Sequence, residues 1–271
     1  MIINKIFISQ GKFMALKAKM PKEILCKEYK GNKLNDKEIA QKYNLTINWI
    51  NKLRKIYGIK TDKRYQFHRN PLRHLNLTIY QKEVLHGSLM GDSMIATQAS
   101  GTGYWKCTHC LAQKELLLKK AQILEPLISK IFYGKRPFKK EGKNFPFICS
   151  RSFALPQFTY YRTKFYPKRK KLITAKILSE ITPVGFAYWW MDDGIKSKYG
   201  FNIVTYDKYF KNNKSNAIKI FKKFLDLSVS ITWYKNEGNI CILKNSHDKA
   251  WSYIQSEITN DLRYKLPKKY Q

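Results

Sequence analysis

Two similar stretches of the chain determine how it folds: LTIYQKEVLHGSLMGDSMI at 77–95 and ITPVGFAYWWMDDGIK at 181–196. In the first, Thr78 and Gln81 form a capping box, in which each side chain bonds the other residue's backbone N–H. In the second, Thr182 is a cap residue and is followed by a proline at the first helical position. Both stretches are then apolar until a glycine and an aspartate end the pattern. We therefore predict two similar helices.

Each predicted helix ends in a carboxylate, Asp92 in the first and Asp193 in the second. That position costs about 0.3–1 kcal/mol, because a carboxylate there meets the negative end of the helix dipole. The cost disappears if the carboxylate binds a divalent cation. Gly87 and Gly91 lie one helical turn apart and let a second helix approach closely. Side-by-side packing would bring the two acids together, and carboxylate oxygens suit Mg²⁺. Either helix end alone is a common turn, but the pair favours a metal site.

The composition indicates a nucleic-acid binder. The chain has 271 residues, with 52 Lys and Arg against 19 Asp and Glu, and a formal net charge of +33. Its hydrophobic content of 44% and aromatic content of 14% exclude a disordered basic tail. A pocket for a small anionic metabolite needs far fewer cations, so that class of enzyme is disfavoured. A folded, strongly basic protein binds phosphates through Lys and Arg. Beside such a surface, a metal ion suits phosphodiester hydrolysis.

The chain contains no apolar run long enough to span a membrane, so we expect no membrane partner. Its five cysteines are odd in number and mostly isolated, which indicates a reducing compartment and no disulfide framework. We therefore expect an intracellular protein that is not secreted. The sequence leaves open whether the compartment is a bacterial or phage cytoplasm, a mitochondrion or a chloroplast.

Residues 21–60 are predicted to form short helices that read DNA. Asn35, with Glu38 three residues on, and Thr46 are caps for two successive helices, and Asn44 lies in the turn, where left-handed dihedrals are tolerated. This segment resembles a helix-turn-helix, whose second helix enters the major groove. The alternative is an ordinary helical hairpin with a solvated basic face. On the first interpretation, the DNA-facing residues are Thr46, Asn48, Asn51, Lys52 and Lys55.

Beyond residue 78, helices alternate with short strands rich in β-branched and aromatic residues, which is a mixed α/β pattern. We predict strands at 201–206, 230–235 and 239–244, and helices at 214–226 and 247–258. Asn236-Glu237-Gly238 is the predicted turn between the last two strands. Residues 61–77 are predicted to be a basic linker, and residues 1–20 stay unassigned.

Within the two helical stretches lie LHGSLMGDS, at 85–93, and FAYWWMDDG, at 186–194. They resemble the two LAGLIDADG motifs of the single-chain homing endonucleases that mobile introns encode. The resemblance implies two αββαββα halves, 78–180 and 181–271, related by a pseudo-twofold axis. It also implies that two antiparallel, saddle-shaped sheets lie over DNA.

The resemblance also implies a metal site. In the family, the acid at the eighth motif position binds the metal, and this position is Asp92 in one motif and Asp193 in the other. The backbone carbonyls just before them, at Gly91 and Asp192, add ligands. The implied metal is Mg²⁺, with Mn²⁺ as an expected substitute. Tyr188 and Asp192 stand where the family has small residues, from which we expect asymmetric packing of the two helices.

The family places a lysine near each half of the active site, where it positions water or stabilises charge. Lys265, in RYKLP, is the candidate in one half, and Lys171 (or Lys170), in KRKKLITAKI, in the other. Lys171 has an alternative role as one phosphate contact among many. His109 is expected to face DNA from a strand of the first sheet. In the charge run at 135–143, the candidates for DNA contact are Arg136, Lys139 and Lys140, unless this run is only a solvated loop.

The function implied by the resemblance is cleavage of both strands of a long, asymmetric DNA site, leaving 3′ overhangs, in the service of intron homing. A monomer is expected because one chain carries both motifs. Two alternatives stay open. One is a maturase that binds its own intron RNA and helps it to splice. The other is a transcriptional regulator that uses the LAGLIDADG scaffold only to bind DNA.

Overall fold

The computed structural model describes residues 20–32, 34–59, 71–138, 143–197 and 200–271. The chain divides into two compact units, Met1–Pro71 and Leu72–Gln271. Most of the predicted N-terminal segment and linker lies outside the described residues, as do Lys139 and Lys140. None of the helices in the described part of the chain is long and apolar enough to cross a membrane.

The first unit contains three short helices where the sequence predicts them. They are α1 (Lys22–Cys26, continued by a wider turn over Lys27–Gly31), α2 (Asp36–Lys42) and α3 (Ile47–Ile56). Asn35 and Glu38 form the predicted capping box at α2, and Thr46 Oγ1 accepts a hydrogen bond from the N–H of Trp49 at α3. Asn44, in the turn, has the expected positive φ of 50°. The core of this unit consists of Met20, Leu25, Ile39, Ala40, Ile50, Leu53 and Ile59.

A buried carboxylate fastens α1 to the end of α2. Glu28 accepts hydrogen bonds from Lys42 Nζ at 2.8 Å, Tyr43 Oη at 2.6 Å and Asn32 Nδ2 at 2.8 Å. Burial raises the pKa of Glu28, but the three hydrogen bonds outweigh burial and hold it at about 2. The ionised side chain therefore fixes the first helix of the unit against the turn that precedes α3.

The second unit repeats one order of elements twice. The first half consists of α4 (Ile79–Met90), β1 (Met94–Thr97), β2 (Gly103–Cys110), α5 (Lys114–Ile123), β3 (Ile128–Phe138), β4 (Lys143–Ser152) and α6 (Pro156–Phe165). After α7 (Ala175–Ser179), the second half consists of α8 (Pro183–Asp193), β5 (Gly194–Ile195), β6 (Asn202–Thr205), α9 (Lys208–Asn212), α10 (Lys214–Ile220), β7 (Val229–Tyr234), β8 (Glu237–Ile242) and α11 (His247–Ile254). The predicted αββαββα repeat is therefore present.

The two sheets have the same topology. Both have four antiparallel strands, in the orders β1-β2-β4-β3 and β5-β6-β8-β7. Equal strand order in successive halves is what a pseudo-symmetric pair requires. This confirms the mixed α/β fold class with two antiparallel sheets.

One predicted turn is displaced along the chain. Tyr234 pairs with Glu237, so the turn between β7 and β8 consists of Lys235 and Asn236 and ends before the predicted Asn236-Glu237-Gly238 does. Lys235 supplies the left-handed conformation, with φ of 50°. Gly238 lies within β8, opposite Trp233, and a Cβ there would come 2.5 Å from the ring of that tryptophan. The glycine therefore serves side-chain packing rather than the turn.

Helices α4 and α8 lie so close together that a side chain at the contact would clash. A Cβ on Gly87 would lie 2.0 Å from the carbonyl oxygen of Gly185, and one on Gly91 would lie 2.5 Å from the Cβ of Asp192. Helix α8 is buried along Gly185–Asp192, on all its sides, as expected of a helix that is apolar all round. The bulky Tyr188 is among these buried residues, and its hydroxyl has a partner, since it donates to Glu257 Oε2, 3.1 Å away.

Replacing Gly87 with alanine should push the two helices apart. We expect Gly87→Ala to lower the free energy of unfolding by about 1–3 kcal/mol, the usual cost of overpacking. Gly31→Ala is the matched control, because its Cβ would meet nothing closer than Lys27 Cγ at 3.7 Å. Urea unfolding measures both. An unchanged free energy in Gly87→Ala would contradict the close helix contact.

Candidate active site

The packing of α4 and α8 places their acid-bearing ends side by side. Asp92 follows the last turn of α4, and about half of its side chain, 48%, is exposed. Asp193 is the last residue of α8, and its Oδ2 accepts a hydrogen bond from Trp189 Nε1 at 3.1 Å. The residue before Asp193 is Asp192, whose side chain is fully buried.

The charge of Asp192 raises the pKa of the two acids near it, Asp92 and Asp193. Burial raises the pKa of Asp92, and the charge of Asp192 raises it further. Burial, then Asp192 and Asp92, raise the pKa of Asp193 to about 7. Nearby ammonium groups only partly offset this crowding. The end of the helix pair is therefore a place where a divalent cation gains energy from the carboxylates.

Asp192 is held by donors of the protein itself. Its Oδ2 accepts the backbone N–H of Asp92 at 3.1 Å, and its Oδ1 accepts from Nζ of Lys120, which is fully buried. The sequence interpretation missed Lys120. A signal existed, because Lys120 stands on the apolar face of α5 with Leu116 and Leu117, where a lysine needs a buried acid.

His109 was expected to face DNA, and the structure contradicts this, since the residue is only 4% exposed. Its Nδ1 lies 3.8 Å from Asp92 Oδ2, and its Nε2 lies 3.5 Å from Asp192 Oδ1 and 3.4 Å from Lys120 Nζ. The alternation of side chains along β2 explains the difference, because Trp105, Cys107 and His109 all point to the core.

The pKa of His109 falls to about 3, because burial and then the charge of Lys120 disfavour the imidazolium. The ring is therefore neutral at physiological pH. It belongs to the interior of the acid cluster.

Lys171 and Lys265 approach the two helix ends in the same way. Lys171 Nζ donates to the carbonyl of Gly91, at the end of α4, and also approaches the carbonyl of Ser93 at 3.3 Å. Burial lowers the pKa of Lys171, and the nearby acids oppose this. The alternative candidate, Lys170, is exposed. The ammonium of Lys171 therefore neutralises the negative end of the α4 dipole.

Lys265 makes the equivalent contacts at α8. Its Nζ donates to the carbonyls of Met191 at 2.8 Å and Asp192 at 3.1 Å, and the residue is 5% exposed. Burial lowers its pKa as well, against the pull of the acids. Each half thus sets one lysine against the carbonyl groups next to its acid.

The donor set fits a hard divalent cation. In the described part of the chain, Asp92, His109 and Asp192 form one group of potential ligands, whose ligand atoms lie within 4.8 Å of one another. Asp193 is not in that group, but Asp192 is fully buried, so the carboxylates of the two helix ends that solvent reaches are those of Asp92 and Asp193. The carbonyls of Gly91 and Asp192 each accept from a lysine and keep a second lone pair.

The outward rows of the two sheets differ in charge. On the first sheet, Arg151 is in register with Lys106 on β2 and Lys130 on β3, so cations line up across the strands. On the second sheet, the row through Asn202 and Cys241 carries no charge. The basic row was not predicted, because the sequence of each strand does not show which residue of the next strand lies opposite.

Of the other predicted DNA contacts, those among the described residues lie at the surface, apart from one. Arg136, on β3, is exposed, with its guanidinium carbon 5.9 Å from the centre of the Phe147 ring. Asn51 is half-buried, and its Oδ1 accepts from Arg54 at 2.8 Å. The exposed candidates of the first unit are Thr46, Asn48, Lys52 and Lys55.

The raised pKa of Asp193 predicts a pH-dependent stability in the metal-free protein. In an unfolded chain this carboxyl titrates near 3.8, so between about 4 and about 7 the folded state keeps a proton that the unfolded state has lost. The stability contributed by this proton is lost as pH rises through about 7. With EDTA present, we expect Asp193→Asn to gain more stability over wild type at about pH 8 than at about pH 5.

The control is Asp248→Asn, at an exposed acid whose pKa Lys269 lowers, and its effect should not change between those pH values. Urea unfolding at both pH values measures the difference. An equal effect of Asp193→Asn at the two would contradict the crowding of the carboxyl groups.

Known proteins resemble this chain in sequence and fold. Over 202 residues it is 26% identical to the cytochrome b mRNA maturase bI2 of Debaryomyces hansenii, a match that covers 68% of this chain and 72% of that protein. Over 160 residues it is 28% identical to the DNA endonuclease I-ChuI of Chlamydomonas applanata, a match that covers 54% of this chain and 66% of that protein. The fold is similar to that of the homing endonuclease I-WcaI, solved bound to its DNA recognition sequence, with a TM-score of 0.65, 20% identity, and coverage of 79% of this chain and 96% of that one.

The profile of the LAGLIDADG DNA endonuclease family matches residues 82–250. This range contains Asp92 and Asp193, both sheets and most of α4. Since the match spans more than half of the chain and includes both acid-bearing helix ends, the protein belongs to the LAGLIDADG DNA endonuclease family.

Proposed function

We propose that the protein is a Mg²⁺-dependent endonuclease that cuts both strands of a long, asymmetric DNA site and leaves 3′ overhangs. The observation that carries the proposal is that Asp92 and Asp193 lie at the same end of the α4–α8 pair, close enough for the charge of Asp92 to raise the pKa of Asp193, with one lysine bound to each helix end. Both acids belong to one chain, so we propose a monomer. Its similarity to a homing endonuclease supports a role in intron homing.

Asp92 and Asp193 are the residues that would hold the metal, with Mn²⁺ as a substitute for Mg²⁺. When bound, such a cation activates water and stabilises the charge on the oxygens of a phosphodiester. Lys171 and Lys265 hold ammonium groups beside these acids, in partly dry surroundings where a fixed charge acts strongly on developing negative charge. Their bonds to the helix-end carbonyls keep them in place before DNA binds.

The two DNA-binding surfaces that we propose are chemically distinct. The basic row of Lys106, Arg151 and Lys130 suits phosphates, while the uncharged row of the second sheet suits hydrogen bonds to base edges. In the first unit, we propose that the exposed face of α3 enters the major groove and lengthens the recognised site.

A maturase is the second candidate, because the cytochrome b mRNA maturase of Debaryomyces hansenii is among the relatives. Intact acids and lysines at the helix ends favour the nuclease, and they speak against a regulator that keeps only the scaffold. The maturase proposal requires specific, high-affinity binding of intron RNA.

Cleavage-site selection tests the endonuclease. The purified protein is incubated with a DNA library built around intron-less versions of candidate host genes, with Mg²⁺ or with EDTA. We expect discrete double-strand breaks with Mg²⁺ that Asp92→Asn and Asp193→Asn abolish. Asp248→Asn, at an exposed ion pair far along the chain in α11, is the matched control and should cut normally. Salt-sensitive DNA binding without any break would overturn the proposal and make intron RNA the next ligand to test.

Lys171 should matter for cleavage and not for DNA affinity. We expect Lys171→Met to lower the single-turnover cleavage rate about 100-fold, the scale of losing one fixed donor at a reacting site. Affinity for the mapped site in EDTA should change little. The exposed neighbour provides the control, Lys170→Met, which makes the same change one residue away. Equal cleavage rates for the two variants would refute the role of Lys171.

The salt dependence of binding tests the first unit. Lys52→Gln and Lys55→Gln should each reduce the slope of log affinity against log salt concentration by about 0.9, the value for one lost phosphate contact. Lys22→Gln, at an exposed lysine on α1, is the control and should leave the slope unchanged. If all three variants bind the mapped site as wild type does, α3 does not contact DNA.

A further inference from the structure

Lys120 has an unusual position for a lysine, because its side chain is completely buried beside the acid cluster. An ammonium group carries three protons and accepts none, so a buried one needs acceptors around it. In the described part of the chain, the acceptors within hydrogen-bond distance of Nζ are Asp192 Oδ1 and His109 Nε2, the latter at 3.4 Å.

The shortage of acceptors around Lys120 decides which nitrogen of His109 carries the proton. Nε2 also lies 3.5 Å from Asp192 Oδ1, so in principle it could donate to that oxygen. However, a proton on Nε2 would be set against the protons of the Lys120 ammonium 3.4 Å away, whereas its lone pair is the one neutral acceptor that Nζ reaches among the described residues. Nε2 must therefore present its lone pair to the ammonium. A neutral imidazole then has its proton on Nδ1.

Nδ1 of His109 points towards the carboxylate of Asp92, 3.8 Å from its Oδ2. We propose that Lys120 is a positioning residue that holds His109 as the Nδ1–H tautomer and thereby directs an N–H donor at Asp92. Asp192, fixed by the same lysine, accepts the backbone N–H of Asp92. Lys120 thus restrains the main chain of Asp92 through Asp192, and through His109 it sets which group faces the side chain of Asp92.

In this arrangement His109 has a role different from that of a metal ligand. With its lone pair turned to Lys120 and its proton turned to Asp92, the ring offers no free nitrogen to a cation. Asp92, His109 and Asp192 then form a supporting network, in which the lysine supplies the positive charge. The effect on cleavage rests on the proposed function, whereas the tautomer does not.

The tautomer can be read directly by NMR. Long-range ¹H–¹⁵N correlation spectra of the imidazole rings distinguish Nδ1–H, Nε2–H and doubly protonated histidine. The whole metal-free chain is measured in EDTA at neutral pH, and His109→Gln identifies the His109 signals among those of the five histidines. We expect the Nδ1–H pattern in wild type. An Nε2–H or doubly protonated His109 would overturn the proposal.

Removing the lysine together with its partner tests the cause. Lys120→Met/Asp192→Asn deletes both charges, so no unpaired ion is left in the core, and circular dichroism and thermal unfolding check that the variant folds. In this variant we expect the Nε2–H form of His109 to appear. Persistence of the pure Nδ1–H form in the folded variant would show that Lys120 does not set the tautomer.

The functional readout is single-turnover cleavage of the mapped site. We expect the double variant and His109→Gln to cut about 10- to 100-fold more slowly than wild type, the range for groups that support a metal ligand, with DNA affinity unchanged. Lys119→Met is the matched control on the same helix, since Lys119 pairs with Glu257 instead, and should cut normally. Wild-type rates in the double variant would overturn the positioning role. If the wild-type chain cut no DNA, the proposed function would fail while the tautomer result would stand.

Discussion

The contact between Gly87 and Gly185 is the constraint on which the rest of the structure depends. Because a Cβ on Gly87 would lie 2.0 Å from the carbonyl oxygen of Gly185, only glycine lets α4 and α8 lie this close. Their closeness brings the two helix ends together, and with them Asp92 and Asp193. The two sheets follow their helices directly, at Met94 and Gly194, so the helix pair also fixes the position of the surfaces proposed to bind DNA.

Like charges gathered at one end of a helix pair need compensation, and the chain supplies it with two buried lysines and a third that is partly buried. Lys171 and Lys265 bind the helix-end carbonyls, and Lys120 binds the buried carboxylate of Asp192. The pKa of Asp193 nevertheless stays raised, at about 7. The protein's own cations therefore neutralise the cluster only in part, and the remaining negative charge faces the exposed side of Asp92, where a metal ion can approach from solvent.

Local signals in the sequence predicted much of this fold. The caps at Thr78 and Thr182, the apolar helices and their terminal acids depend on neighbours within a few residues, and all are present. The glycine face of α4 was also predicted, but not its partner Gly185. The family, once the motifs were identified, supplied the paired αββαββα halves. The turn before β8 was displaced because cross-strand register, rather than residue type, decided where Gly238 lies.

The parts of the site that were missed depend on contacts between distant residues. Lys120 and Asp192 are separated by 72 positions, and nothing near either residue in the chain indicates their pairing. The burial of His109 shows in the alternation of β2 only once the inward face of that strand is known.

Anomalous diffraction from crystals of the whole chain with its mapped DNA site and Mn²⁺ tests the central claim most directly. We expect Mn²⁺ bound by carboxylate oxygens of both Asp92 and Asp193. Mn²⁺ held instead by His109 and Asp192 would contradict a metal site at the two helix-end acids.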